Sequence, residues 1–192
     1  MTKVRNWERR DFLGGAMAAF PLALLGQSAK APAASVVVPV PAGEDRLGEH
    51  HTIGVSSTAF KVLTKDSGGD LFVIEHANHR KGGPPRHLHH HEDEWFYVIE
   101  GEYIAEIGSE HFQLKAGDSL LGPREVPHAW AFVGDTPGKL LISFAPANKM
   151  EAFFREGMKR HASAFSNSAN ADDKEFFHAY GMELLGPPLS VK

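Results

Sequence analysis

The sequence predicts an all-β protein, a barrel or sandwich of short strands, followed by two helices. Short apolar runs recur between turn residues at the spacing of strands. Glycine (19) and proline (12) are frequent and often adjacent, as in Gly82-Gly83 and Pro84-Pro85, which favours short elements over long helices. Helical spacing of apolar residues begins only after Pro146.

The composition is that of an ordinary globular protein with one core. The chain has 192 residues, of which 42% are hydrophobic and 23% are charged, enough for one domain with appendages. Its formal charge of -4, with no cluster of Lys and Arg beyond the N-terminus, argues against nucleic acid as a partner. The chain has no cysteine, so any metal site must use nitrogen and oxygen ligands.

Residues 1–33 are predicted to be an export signal. A charged segment is followed by an apolar run over residues 16–25 and by small-residue cleavage patterns at residues 29–33. The alternative is an amphipathic helix or a membrane anchor. The apolar run is about half of the ~20 residues that a span requires, and Pro21 interrupts it. The sequence therefore predicts no stable membrane span.

The charged part of this signal resembles a twin-arginine signal. Arg9 and Arg10 are followed after one residue by Phe12 and Leu13, although Glu8 occupies the usual place of Ser or Thr. Proteins with this signal cross the membrane already folded. The resemblance implies a periplasmic or secreted protein that is exported after folding.

Residues 34–51 are rich in proline, glycine and charge and are predicted to be a lead-in segment. A single barrel is expected over residues 52–147, since no internal repeat is present. Gly101 and Gly108 mark hairpin-like breaks, so the strands around them should be antiparallel neighbours. The candidate strands are the apolar runs at residues 60–63, 71–74, 95–99, 103–107, 111–114, 119–121, 129–133 and 140–144.

Residues 148–192 are predicted to be a helical extension. One apolar stripe at helical spacing consists of Met150, Phe153, Phe154 and Met158. A second consists of Phe176, Phe177, Tyr180 and Leu184. Residues 161–173 between them are small and polar and should form a connection. The tail over residues 180–189 is apolar and is expected to pack on the barrel.

Two histidines at alternate positions, His87 and His89, would point to one face of a strand, roughly 7 Å apart along the chain. That spacing lets two imidazoles converge on one ion. Glu94 opens the next apolar strand and shares a face with Phe96 and Val98. A carboxylate at the head of a core-facing stripe needs a compensating partner, which a metal ion would provide.

A third histidine opens a later apolar strand, in which His128, Trp130 and Phe132 alternate onto one face. Together with the two earlier histidines and the glutamate, His128 would complete a ligand set of three nitrogens and one oxygen. Such a set suits one divalent transition metal ion, whether Fe, Ni, Mn, Co, Cu or Zn.

These two segments resemble the two motifs of the cupin superfamily. The first motif, His-x-His, three or four residues, Glu, six residues and Gly, is filled by His87, His89, Glu94 and Gly101. The second is matched through Gly117, Pro123 and His128. Glu125 and Phe132 stand where glycine and asparagine are common. The resemblance implies a double-stranded β-helix, or jelly-roll barrel, with the metal ligands inside it.

The strand at residues 95–97 and the Gly-Pro-Pro-Leu tail resemble single-barrel cupins grouped with quercetin dioxygenases. The resemblance implies a metal-dependent dioxygenase for an aromatic or enol-type small molecule, with Glu94 as both ligand and proton acceptor. It also implies a homodimer, since cupin relatives are commonly dimers. The apolar neighbours of the ligands are expected to line the substrate pocket, and they are Phe96, Val98, Trp130 and Phe132. For Trp130 and Phe132 the alternative is ordinary barrel core.

The remaining polar residues of the first motif receive other interpretations. His90 and His91 are expected to belong to a solvated face that binds metal only adventitiously. Glu92 and Asp93 are interpreted as solvated turn residues, and Arg86 as a charge at the rim of the site.

Fold does not decide function, and two other functions stay open. One is a periplasmic cupin that binds a small molecule or sugar without turning it over. The other is a metal-dependent isomerase or lyase, which would work equally well without oxygen.

Overall fold

The computed structural model of the chain describes residues 38–53, 56–160 and 170–191. The export signal predicted for residues 1–33 lies outside the described residues. Among the residues that are described, no helix is long and apolar enough to cross a membrane.

Eleven strands form two antiparallel sheets over the described part of the chain, and two α-helices follow the tenth strand. The strands are β1 (His51–Ile53), β2 (Ser56–Val62), β3 (Phe72–Asn78), β4 (Pro85–His89), β5 (Asp93–Glu100), β6 (Glu102–Ile107), β7 (Glu110–Lys115), β8 (Ser119–Gly122), β9 (His128–Phe132), β10 (Gly138–Ala145) and β11 (Met182–Pro188). The helices are α1 (Met150–Lys159) and α2 (Ala171–Ala179).

The first sheet has the order β1-β2-β3-β10-β5-β8, and the second has the order β11-β4-β9-β6-β7. The strand order does not follow the chain order, since β3 pairs with β10 and β4 pairs with β9. The prediction of a cupin-type double-stranded β-helix with two C-terminal helices is confirmed.

Alternation along the strands decides which side chains enter the barrel. In β5, Glu94, Phe96 and Val98 are buried, whereas Trp95 and Tyr97 between them are exposed. This period of two is the geometry of a pleated strand with one face against a core. The carboxylate of Glu94 therefore enters the barrel on the same face as two apolar side chains.

One end of the barrel is closed by large side chains. The Tyr103 hydroxyl donates a hydrogen bond to Asn78 Oδ1 at 3.1 Å, and burial raises the pKa of Tyr103, so it stays a neutral donor. The Phe132 ring packs beside Tyr103, with ring centroids 5.4 Å apart. A Cβ at Gly138 would lie 2.5 Å from the Phe132 ring, so only glycine fits there.

The two helices pack at the opposite end of the barrel. Phe154 of α1 contacts Phe72 and Phe144, with ring centroids 5.9 and 5.7 Å apart. Phe153 of α1 stacks on Phe176 of α2 at 5.1 Å, which joins the two helices through aromatic contacts.

The extension also contributes a strand, which its apolar spacing did not predict. Helix α2 ends at Ala179, and Leu184, placed on the helical stripe from the sequence, lies in β11 instead. Strand β11 pairs with β4, with Met182 opposite His89 and Leu184 opposite His87. The C-terminal tail thus covers the edge of the strand that carries two candidate metal ligands.

Candidate metal centre

Four side chains of the described residues offer ligand atoms that all lie within 4.8 Å of one another: His87, His89, Glu94 and His128. All four are buried, with exposed fractions of 6%, 1%, 4% and 0%. They are the residues that the motif spacing predicted.

Both sheets are needed to assemble this group. His87 and His89 lie on β4, and His128, the first residue of β9, is the pairing partner of His87. Glu94 lies near the start of β5 in the other sheet and reaches the histidines across the barrel interior. The ligands therefore come together only when the two sheets close on each other.

The carboxylate of Glu94 lies between the three imidazoles. Its Oε2 is 2.9 Å from Nε2 of His128, 3.3 Å from Nε2 of His89 and 3.9 Å from Nε2 of His87. Burial alone would raise the pKa of Glu94, but the contacts with His128 and His89 outweigh it and hold the pKa well below its usual value. The carboxylate is therefore ionised at neutral pH.

Two of the histidines are oriented by backbone carbonyls. Nδ1 of His87 is 2.8 Å from the carbonyl oxygen of Pro85, and Nδ1 of His128 is 2.9 Å from that of Val126. A carbonyl can only accept, so both rings carry their proton on Nδ1 and present Nε2 to the interior. Burial, followed by the nearby histidines, lowers the pKa of His87 to about 3, which keeps this ring neutral.

His89 has a carboxylate on each side. Its Nδ1 is 3.6 Å from Oε2 of Glu92, and its Nε2 faces Glu94. Burial lowers the pKa of His89, but the two glutamates more than offset this and raise it to about 9. The interpretation of Glu92 as a solvated turn residue was wrong, because its exposed fraction is 0%.

The neighbouring polar residues stay outside the centre. Asp93 is partly exposed and accepts two side-chain hydrogen bonds from Arg124, at 3.0 and 2.9 Å. Arg86 forms an ion pair with Glu106 and donates to the carbonyl oxygen of Gly108 at 2.8 Å. Neither group points to the four ligands.

His90 also turns away from the four ligands. Its Nδ1 is 3.1 Å from both carboxylate oxygens of Glu125, and its Nε2 is 3.4 Å from Glu183 of β11. Glu125 stands where cupins commonly have glycine, and its φ of 63° lies in the left-handed region that favours glycine. Glu125 thus differs from the common cupin residue in its side chain, while its backbone keeps a conformation that favours glycine.

The four residues fit a divalent transition metal ion. Three nitrogens and one carboxylate oxygen converge, and neither ring nitrogen of the buried His89 has a hydrogen-bond partner within the described part of the chain. Buried polar atoms without partners are costly unless another group, such as an ion, satisfies them. The donor set matches nitrogen and oxygen sites for Fe, Ni, Mn, Co, Cu or Zn.

Aromatic rings surround the centre. Phe177 of α2 packs edge-on against His87, with centroids 5.8 Å apart. The ring centroid of Phe144 is 5.7 Å from that of His89. Helix α2 thus contributes directly to the wall of the site, whereas the sequence assigned its phenylalanines only to packing.

The four residues predicted to line a substrate pocket occupy different levels of the barrel. Phe96 lies beside the centre, with its ring centroid 6.2 Å from that of His128. Trp130 lies two residues after His128 on β9. Phe132 lies two residues further on, at the end of the barrel where its ring packs beside Tyr103. Val98 is fully buried, two residues beyond Phe96 on β5. Within the described part of the chain, Phe96 is the member of this set that has a ring contact with a candidate ligand.

No separate role was predicted for His76, which the structure places inside the barrel. Its Nδ1 is 3.3 Å from the Thr58 hydroxyl, and its ring packs edge-on against Trp130 at 5.2 Å. Burial lowers the pKa of His76 to about 4, against an opposing effect of the Glu94 charge. Extending the alternation of Phe72 and Ile74 by two residues would have pointed to this position.

Comparison with known proteins finds that residues 73–144 match the family described as the cupin domain. A stretch of 60 residues is 32% identical to an uncharacterized protein of Methanocaldococcus jannaschii, covering 31% of this chain and 48% of that protein. Another stretch of 60 residues is 30% identical to the polyketide synthase CurC of Streptomyces cyaneus, covering 31% of this chain and 39% of that protein. The matches thus span less than half the length of each relative.

Two solved structures are similar in outline. KdgF from a Halomonas species has a TM-score of 0.46 at 20% identity, covering 51% of this chain and 86% of that one. An RmlC-like cupin from Shewanella frigidimarina has a TM-score of 0.45 at 24% identity, covering 54% of this chain and 87% of that one. The match over residues 73–144 shows a similarity to the cupin domain, and the sheet topology is that of the double-stranded β-helix fold.

Proposed function

We propose that this protein is a metal-dependent dioxygenase of the quercetinase-like kind, acting on an aromatic or enol-type small molecule. The observation that carries the proposal is the buried set of three histidines and one glutamate in a largely apolar interior. Four protein ligands leave one or two coordination positions for other molecules. A metal ion there would supply Lewis-acid activation of an enol oxygen and, if the ion is redox-active rather than Zn, one-electron chemistry with O2.

The residues around the centre have separate tasks in this proposal. The carboxylate of Glu94 is ionised and lies inside the barrel, so it can bind metal. It is also the proposed acceptor of the proton of a substrate hydroxyl, although the imidazole contacts that lower its pKa make it a weaker base than a free glutamate. Phe96, Phe144 and Phe177 form apolar surface beside the ligands, which suits a flat aromatic ring and limits access of water.

His76 is the second polar group in the interior. As a neutral imidazole held by Thr58, it can donate to or accept from an oxygen of a molecule in the barrel. The relative named a polyketide synthase adds modest support, because polyketide chains are rich in enolisable carbonyl groups.

Turnover of flavonols and related enols, with and without O2, tests the proposal on protein of measured metal content. We expect loss of substrate that requires both O2 and bound metal. Turnover that is equally fast without O2 would instead support a metal-dependent isomerase or lyase. Tight binding without turnover would support a small-molecule or sugar-binding cupin.

We further propose that the chain acts in the periplasm or is secreted, on the basis of the arginine pair and the apolar run that follows it. A homodimer, which the cupin resemblance implies, is also a proposal. Light scattering on the purified protein measures that oligomeric state directly.

A further inference from the structure

A fifth charged side chain lies against the candidate metal centre and is not one of its four ligands. Glu92 precedes Glu94 by two residues, and its exposed fraction is 0%. Its Oε2 is 3.6 Å from Nδ1 of His89, the ring nitrogen that points away from Glu94. The imidazole of His89 therefore lies between two buried carboxylates.

This arrangement distinguishes His89 from the other two histidines. Their Nδ1 atoms face neutral backbone carbonyls, those of Pro85 and Val126, whereas Nδ1 of His89 faces an acid side chain. A hydrogen bond to the outer nitrogen of a metal-binding histidine fixes its tautomer and ring orientation and strengthens the inner nitrogen as a donor. A carboxylate does this more strongly than a carbonyl because it carries a full charge.

A role for Glu92 in the loop alone does not account for its position. Its Oε2 accepts one hydrogen bond from the backbone N–H of His91 at 3.3 Å, and its Oε1 has no hydrogen-bond partner within the described ranges. Asp93, the ion-pair partner of Arg124, raises the pKa of Arg124, and so does the charge of Glu92, but no lysine or arginine of those ranges forms an ion pair with Glu92 itself. A buried carboxylate with so few partners is costly unless a nearby positive charge compensates it, and a metal-bound imidazole would supply that charge.

The distance of 3.6 Å between Oε2 of Glu92 and Nδ1 of His89 is slightly longer than a hydrogen bond. We propose that Glu92 is a positioning residue, which closes this gap when metal binds, accepts the Nδ1 proton of His89 as a hydrogen bond and thereby holds Nε2 of His89 toward the metal. The inference rests on the metal site of the proposed function. It goes beyond the four ligands because it gives one of them a stronger donor nitrogen than the other two.

The test compares Glu92→Gln with Asp93→Asn. The two variants remove the same charge at adjacent positions, but only the first removes the carboxylate beside His89. Cobalt(II) is the probe, because its visible spectrum reports the ligand field. We expect Glu92→Gln to bind cobalt about 10- to 100-fold more weakly than the unmodified protein and with an altered spectrum. Asp93→Asn should bind cobalt with an affinity within about twofold of the unmodified protein and should leave the visible spectrum unchanged.

A purely structural role would give a different result. Glu92→Gln would then lower the free energy of unfolding of the metal-free protein while leaving the cobalt spectrum and the affinity of the folded protein unchanged. That result would overturn the inference but leave the metal site standing. If the unmodified protein binds no metal at all, the proposed function and this inference both fail.

Spectra of the unmodified protein keep the inference testable if Glu92→Gln does not fold. In zinc-loaded protein labelled with ¹⁵N at histidine, we expect all three ligand rings to carry a proton on Nδ1. The proton of His89 should lie furthest downfield because its acceptor is a carboxylate. A His89 that binds zinc through Nδ1, or carries no proton there, contradicts the inference.

Discussion

His87 on β4 and His128 on β9 are pairing partners on adjacent strands of the second sheet, and their ring centroids are 4.7 Å apart. Strand pairing therefore sets the distance between two candidate ligands before any metal binds. The backbone carbonyls of Pro85 and Val126 fix the orientation of the two rings in the same way. Such preorganisation lowers the cost of assembling the site around an ion.

Replacing the buried histidines should abolish metal binding, whereas replacing the outer ones should not. We expect His87→Ala and His128→Ala to lose the one metal ion per chain, since each removes a nitrogen of a four-ligand set. His90→Ala and His91→Ala should retain it, because His90 faces Glu125 and Glu183 instead. Elemental analysis of the purified variants measures this. Equal loss in all four would mean that an exposed histidine cluster holds the metal.

Glu94→Gln separates ligation from proton transfer. Glutamine has nearly the same shape and can still offer an oxygen to the metal, but it cannot accept a proton at neutral pH. We expect the fold and much of the metal to remain while turnover falls by the ~10²–10⁴-fold typical of a lost acid-base group. Steady-state kinetics at measured metal content is the readout, with Glu125→Gln as the control. Full activity with metal bound would show that Glu94 is at most a ligand.

The C-terminal strand should contribute strongly to stability. Met182 is 1% exposed and pairs with His89, so Met182→Ala should lower the free energy of unfolding by about 2–5 kcal/mol. Leu185 lies on the same strand but is 44% exposed, and Leu185→Ala should change that energy by less than about 0.5 kcal/mol. Urea denaturation of chelator-treated protein measures both. Equal effects would mean that β11 is not packed on the barrel in solution.

His76 should make the metal-free protein less stable in acid. Its pKa is about 4 in the folded chain against 6.5 for the unperturbed group, so between these values the unfolded chain binds more protons. The free energy of unfolding should therefore fall as the pH is lowered from 6.5 to 4, by up to ~1.4 kcal/mol per pH unit from this group. Subtracting the curve of His76→Gln isolates its contribution from that of the ligands. A difference between the two proteins that stays constant over this range would contradict the assignment.

Export should depend on the arginine pair. Replacing Arg9 and Arg10 by lysine keeps the charge but removes the feature by which the segment resembles a twin-arginine signal. We expect the chain to stay in the cytoplasm, as measured by fractionation and immunoblotting. Unchanged accumulation in the periplasm would exclude the twin-arginine route.

The sequence by itself determined most of the strands and the four candidate ligands. Side chains of a strand alternate between faces for local steric reasons, so the spacing of His87 and His89 already places both on one side. The same alternation places Glu94 on one strand face with Phe96, and His128 on one strand face with Trp130. These relationships need only a few consecutive residues.

Only the tertiary structure decided which distant groups meet these ligands. Glu92 looks like one of several charged turn residues until β4 and β5 enclose it, and burial cannot be deduced from a polar run. His76 enters the same interior because β3 pairs with β10, far away in the chain. Phe177 and β11 reach the site because the end of the chain folds back onto β4. Such contacts depend on which strands and helices come together, and the pattern within any one segment carries no record of its partners.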